Sequence, residues 1–160
     1  MFDPTAFENL KVVVEGAIYD YDLEGYISVT DRNDQFNLSK LSRHFDITFS
    51  LQNKARPAKA KILLSTDDLY KEINLNETNV GCSIGITFYI AAHDQDDVSF
   101  MEHIYKIWEG QEIDLIKRQS LLNHQRQLFV EIGFDRKITE DQVDDLVAIV
   151  EHCIKTLEAL

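Results

Sequence analysis

The 160-residue sequence has few of the residues that interrupt folded structure, since it contains only two prolines and six glycines. No stretch rich in proline, glycine or serine divides it, which argues against a flexible linker or a disordered tract. Because 44% of the residues are hydrophobic, a domain of this length can bury a sizeable core. We therefore expect one globular domain that spans residues 1–160.

Cysteines and long apolar runs are also scarce. The two cysteines, Cys82 and Cys153, lack the CxxC spacing of a redox or zinc motif. Both belong to apolar patterns, so we interpret them as buried thiols. No run reaches the roughly 18 apolar residues of a membrane span, and the first residues do not have the pattern of a secretory signal. The expected location is the cytoplasm, without membrane association.

Basic residues are outnumbered, with 16 Lys and Arg against 28 Asp and Glu, which gives a formal charge of −12. This charge repels phosphate backbones and anionic lipids, and it argues against general nucleic-acid binding. The exception is "NKARPAKAK", in which Lys54, Arg56, Lys59 and Lys61 form either a hairpin tip or a small anion-binding patch. In the hairpin, Lys59 and Lys61 would lie on a solvent face and discourage pairing at a sheet edge.

Four segments alternate apolar and polar residues with the period of a half-buried strand. Their predicted inward residues are Ile47, Phe49 and Leu51; Ala60, Ile62 and Leu64; Cys82, Ile84, Ile86, Phe88 and Ile90; and Leu128, Val130, Ile132 and Phe134. "EIDLIKRQ" is a weaker strand, and "SLLNHQ" makes the turn to the strand that follows it. These segments predict two hairpins.

The first half of the chain is harder to interpret. Asp3 and Pro4 predict the start of a short helix. Residues 11–21 fit either a helical stripe or a strand, and the run of three valines with Gly16 favours the strand. Beyond them, "EGYISVTDRND" predicts a short strand, while "NLSKLSRHF" and "STDDLYKEIN" predict short helices.

The chain ends in a strong helix pattern. Thr139 and Gln142 have the spacing of a capping box. The predicted apolar stripe consists of Val143, Leu146, Val147, Val150, Ile154 and Leu157. Together the segments predict an α+β fold with a mainly antiparallel sheet built from hairpins, covered by a mid-chain helix and this long terminal helix. The order of helix, hairpin and acidic helix over roughly the last 65 residues resembles that of secretion chaperones and related sensory-regulator domains.

The mid-chain helix lies in "HDQDDVSFMEHIYKIWEG", which holds two histidines and five carboxylates from His93 onward. Ser99 and Glu102 fit a second capping box, and Asp96 or Asp97 can cap free amides. The predicted buried side is Phe100, Met101, Ile104, Tyr105, Ile107 and Trp108. Glu102 and His103 point about 100° apart on a helix, so we predict no metal site and no cofactor. The alternative metal ligands are His93, Asp94 and Asp97.

The segment "YDYDLEG" offers an acidic and aromatic surface made of Tyr19, Asp20, Tyr21, Asp22 and Glu24. We expect these residues to bind another protein with a basic surface. The sequence therefore predicts a binding module of the chaperone, immunity or adaptor kind without catalytic activity, and a homodimer that uses one flank of the terminal helix. In the alternative, a hydrolytic or metal-dependent enzyme, Asp20 and Asp22 share a strand face as paired carboxylates and act with His93.

Overall fold

The computed structural model describes residues 4–54, 57–66, 81–91, 97–123 and 125–160. They form three helices, six strands and a single 3-10 turn, Glu140–Gln142. The helices are α1 (Pro4–Leu23), α2 (Asp97–Ile107) and α3 (Val143–Glu158). The strands are β1 (Ile27–Asn37), β2 (Ser42–Leu51), β3 (Ala58–Thr66), β4 (Ser83–Ala91), β5 (Glu112–Gln119) and β6 (Arg126–Gly133).

All six strands form one antiparallel sheet in the order β1-β2-β3-β4-β6-β5. Helices α1 and α3 pack against each other, α1 contacts β1, α3 contacts β2 and β3, and α2 contacts α3. The predicted α+β class with a mainly antiparallel sheet is confirmed. No helix in the described ranges combines the length and apolar content that crossing a membrane requires.

The alternation in the sequence decides which residues face the helices. Phe49, Ala60, Phe88 and Val130 lie in register across four strands, and all are buried. The intervening positions of these strands, including Lys61 and Thr87, form the opposite surface of the sheet, which we call the open face. One hydrophobic cluster joins the strands and all three helices, and it includes both Cys82 and Cys153. The prediction that the two thiols are buried is confirmed.

Residues 11–21 are helical, so the predicted strand is wrong. Phe7, Leu10, Val14 and Ile18 recur every three or four residues and are buried against the sheet. A strand would have placed neighbouring valines on opposite faces, whereas one long helix buries this whole stripe. Tertiary packing thus outweighs the β propensity of the valine run.

Helix α1 ends in a Schellman motif at Gly25. Its φ of 76° lies in the left-handed region that favours glycine. The Tyr26 amide donates to the carbonyl of Tyr21, and the Gly25 amide donates to that of Asp22. Two orphan carbonyls at the helix end are satisfied, and the chain turns sharply into β1.

The helix predicted at "NLSKLSRHF" is also wrong, because a tight turn joins β1 to β2 there. Asn37 Oδ1 accepts hydrogen bonds from the amides of Ser39 (3.0 Å) and Lys40 (3.1 Å). Leu41 has a positive φ of 52°, which a right-handed helix does not allow. The side chain of Asn37 therefore supports a hairpin turn. Residues 67–74 of the other predicted short helix lie outside the described residues.

An ionic network fixes α1 to the hairpin of β1 and β2. Asp34 accepts from Lys11 Nζ at 2.7 Å and from Arg43 Nη2 at 2.9 Å, and Arg43 also pairs with Glu8. The hydrogen bond from Arg43 is the main cause that lowers the pKa of Asp34 to about 2. These ion pairs join α1 to β1 and β2, so we assign the cluster a structural role.

The two later helices bury most of their predicted stripes, with one exposed residue in each. In α2, Tyr105 is exposed, and the helix begins at Asp97, so Ser99 lies inside it and does not form the predicted capping box. In α3, Val147 is 39% exposed, whereas Ile149, which the predicted stripe left out, is buried. The capping box of Thr139 and Gln142 is confirmed.

Candidate partner-binding groove

The five predicted partner-binding residues lie at the end of α1 and in the turn that follows it. Tyr19, Asp20 and Glu24 are exposed, while Tyr21 is partly buried against the core. Asp22 Oδ2 accepts a hydrogen bond of 3.2 Å from the amide of Val29, so this carboxylate faces β1. Residues two apart on a helix do not face each other, and Asp20 and Asp22 therefore do not form the paired carboxylates of the alternative enzyme.

A groove of about 360 Å³ lies between this end of α1 and the outer side of α3. It is lined by Tyr21, Glu24, Tyr26, Glu151, Ile154, Lys155 and Glu158. The rings of Tyr21 and Tyr26 form one wall, with centroids 6.2 Å apart and planes tilted by 44°. The Tyr26 hydroxyl donates a hydrogen bond to Glu158 Oε1 and so joins the two sides.

The groove has a negative potential. Three carboxylates, Glu24, Glu151 and Glu158, line it together with one cation, Lys155. Burial and then the nearby carboxylates raise the pKa of Tyr21, and the hydrogen bond to Glu158 is the main cause that raises the pKa of Tyr26. The C-terminal end of the α1 dipole adds a further partial negative charge. The arrangement can receive a cationic side chain beside two aromatic rings.

Sequence reasoning found only one side of this groove. It missed Tyr26, Glu151 and Glu158, which come from the start of β1 and from α3. One signal was present, because Glu151 and Glu158 are seven residues apart and so share a polar helix face. Their meeting with residues about 130 positions earlier depends on the packing of α1 beside α3.

In the predicted anion patch, Lys54 follows β2, and Lys59 and Lys61 lie on β3. Lys54 Nζ donates to the carbonyls of Glu158 (2.8 Å) and Leu160 (3.3 Å), so it caps the end of α3. Lys59 and Lys61 lie on β3, which has neighbours on both sides, and the prediction that they guard an edge is wrong. Lys54 and Lys59 line one cleft of about 580 Å³, while Arg56 lies outside the described residues.

The three alternative metal ligands lie mostly outside the described part of the chain. His93 and Asp94 lie outside it, and Asp97 is the first residue of α2. Within the described part of the chain, no group of three His, Cys, Asp or Glu side chains has a geometry that could hold a metal ion.

Comparison of the chain with protein-family models, curated proteins and solved structures finds no match. The likeness of element order to secretion chaperones stays a prediction.

Proposed function

We propose that this protein is a cytoplasmic binding module whose groove between α1 and α3 receives a basic segment of another protein. The observation that carries the proposal is the convergence of Glu24, Glu151 and Glu158 on the rings of Tyr21 and Tyr26. The two free cysteines are typical of a reducing compartment, which supports the proposed location.

The negative charge of the groove favours a partner with a cationic side chain. A lysine or arginine in the groove gains Coulomb attraction from three carboxylates and can lie against a tyrosine face, where cation–π contact contributes about 0.5–1 kcal/mol at an exposed site. The net charge of −12 also steers a basic partner from a distance and repels nucleic acid and anionic membranes. Binding then depends on the local groove and on the field of the whole molecule.

Selection from a displayed library of random 12-residue peptides tests the proposal. The groove variant carries Glu24→Gln, Glu151→Gln and Glu158→Gln, which remove charge but keep the shape and leave an acceptor for Tyr26. A matched control carries Glu102→Gln, Glu109→Gln and Asp144→Asn, three exposed carboxylates outside the groove.

The native protein and the control should enrich peptides rich in lysine and arginine, and the groove variant should not. Affinity of a selected peptide should fall as ionic strength rises past about 0.1 M, because the groove is open to solvent. Enrichment of neutral or acidic peptides, or equal enrichment by the groove variant, would overturn the proposal.

A further inference from the structure

The two edges of the sheet are built differently. Edge strand β1 has an irregular register between Val29 and Asp31, and charged side chains follow that break. Edge strand β5 pairs with β6 in unbroken register over eight residues and has no proline. Natural edge strands are usually shortened, bulged or covered because an unpaired backbone row invites another strand. In the described residues, β5 has β6 as its one strand neighbour and has neither a bulge nor a proline. Its charged side chains are of both signs, so a second copy of the same strand can complement them.

The side chains of β5 alternate along the strand in a self-complementary order. Asp114, Ile116 and Arg118 occupy alternate positions on the open face, so an apolar residue separates an acid from a base. Two such strands placed antiparallel about Ile116 bring each Asp114 opposite an Arg118. A strand with one sign of charge would repel its own copy in the same arrangement.

We propose that β5 binds β5 of a second copy of this chain, antiparallel and about a two-fold axis at Ile116. The two sheets then form one twelve-stranded sheet whose open faces lie on the same side. The proposal is independent of the groove between α1 and α3, because it uses the opposite edge of the sheet.

The row of side chains through Ile116 supports this register. On the open face, Ile116 is opposite Phe129, and Phe129 is opposite Tyr89. The rings of Phe129 and Tyr89 meet edge to face, with centroids 5.3 Å apart. Across the axis, Ile116 of one copy meets Ile116 of the other. Six apolar and aromatic side chains then form one uninterrupted row, which stabilises the paired edge.

The hairpin tip gives a second reason for a copy of the same chain. Leu121 and Leu122 are 91% and 98% exposed in the turn after β5. Just before β5, a cleft of about 390 Å³ is lined by both charged and apolar residues, and Trp108, Phe134 and Ile149 belong to its apolar part. In an antiparallel pair centred on Ile116, the Leu121–Leu122 turn of one copy lies beside the start of β5 in the other copy. The cleft of that other copy opens there. Two exposed leucines and the apolar part of this cleft lie at opposite ends of one strand, so the pairing brings them together twice.

Charge reversal with rescue tests the pairing. Sedimentation velocity between about 1 and 100 µM should show a dimer of the 18.5 kDa chain. Asp114→Arg or Arg118→Asp should each raise the dimer dissociation constant about tenfold or more by placing like charges opposite. The double exchange should restore it, and Lys40→Asp at the β1–β2 turn should leave it unchanged. A monomer throughout this range, or single reversals without effect, would overturn the proposal.

Cysteine substitution tests the register. Facing residues in antiparallel strands have Cα atoms about 5 Å apart, which a disulfide can span. Ile116→Cys should therefore oxidise to a covalent dimer on a non-reducing gel, with little background because Cys82 and Cys153 are buried. Asp114→Cys, whose copies would lie about 13 Å apart along the strand, should not. Equal crosslinking by both variants, or none by Ile116→Cys, contradicts the proposed axis.

Discussion

Two valines one turn apart on α3 measure how this helix packs on the sheet. Val150 is 0% exposed, whereas Val147 is 39% exposed, although the sequence pattern gives both to the apolar stripe. Replacing each by alanine removes the same two methyl groups from the same helix. The difference between the two variants therefore reports burial, with helix propensity held constant.

The expected magnitude follows from the removed surface. Two buried methyl groups contribute about 0.8 kcal/mol each, and the cavity left at Val150 adds to this loss. Alanine regains roughly 0.5 kcal/mol of helix propensity, so Val150→Ala should destabilise the fold by about 2 kcal/mol. At Val147 the smaller loss of contact and the gain in propensity nearly cancel. The free energy of unfolding should stay within about 0.5 kcal/mol of the native value.

Urea unfolding followed by circular dichroism measures both free energies. Val150→Ala should also lower the melting temperature by about 4–8 °C. Aspartate substitutions should enlarge the difference in stability between the two positions. Val150→Asp should cost several kcal/mol because it buries an unpaired charge, whereas the charge of Val147→Asp stays hydrated. Equal destabilisation by the two alanine variants would refute this orientation of α3 and, with it, the position of the groove.

Three further predictions concern other contacts. Asp34→Asn should cost about 1 kcal/mol at neutral pH, after allowance for solvent screening. Because the folded pKa of Asp34, about 2, lies below the ordinary aspartate value of 3.8, that loss should fade as pH drops from about 4 to 2 in urea titrations. Trp108 Nε1 donates a hydrogen bond of 2.9 Å to Thr156 Oγ1, and Thr156→Val removes this acceptor. Thermal melts should show a loss of about 1–3 kcal/mol for Thr156→Val and none for Thr156→Ser, which keeps the hydroxyl. Gly16→Ala, in the open helix interior, should stabilise by up to about 1 kcal/mol, whereas Gly25→Ala, at a φ of 76°, should destabilise by a similar amount in the same assay.

The sequence was most informative where one face of a strand is buried and the other is exposed. Alternation identified β2, β3, β4 and β6 because a one-residue error would move every apolar side chain to the wrong face. It also placed Ile86 and Val130 in the core, where the structure has them. Pattern alone could not give the order of the strands, since the pairing of β4 with β6 depends on contacts between distant segments.

The errors arose where a local preference competes with packing. The three valines before Glu15 favour a strand by propensity, yet a helix buries Val14 and leaves Val12 in solvent. The side chain of Asn37 can start a helix or support a turn, and the pairing of β1 with β2 decides for the turn. For the groove, composition pointed only to the end of α1, whereas its other wall comes from α3 and could not be found without the fold.

The groove and the β5 edge can be separated by experiment because they lie at opposite ends of the sheet. The groove begins where α1 meets β1, and four strands lie between that strand and β5, with neighbouring strands about 4.8 Å apart. A dimer paired at β5 would therefore present two unobstructed grooves, and a partner with two basic segments would gain affinity from the second contact. The charge-neutralised groove variant should remain dimeric in sedimentation, and Asp114→Arg should bind a single selected peptide as the native protein does. Asp114→Arg should lose only the added affinity for a tandem peptide whose linker spans both grooves. If it instead weakens binding of the single peptide, the two surfaces are coupled and this separation is wrong.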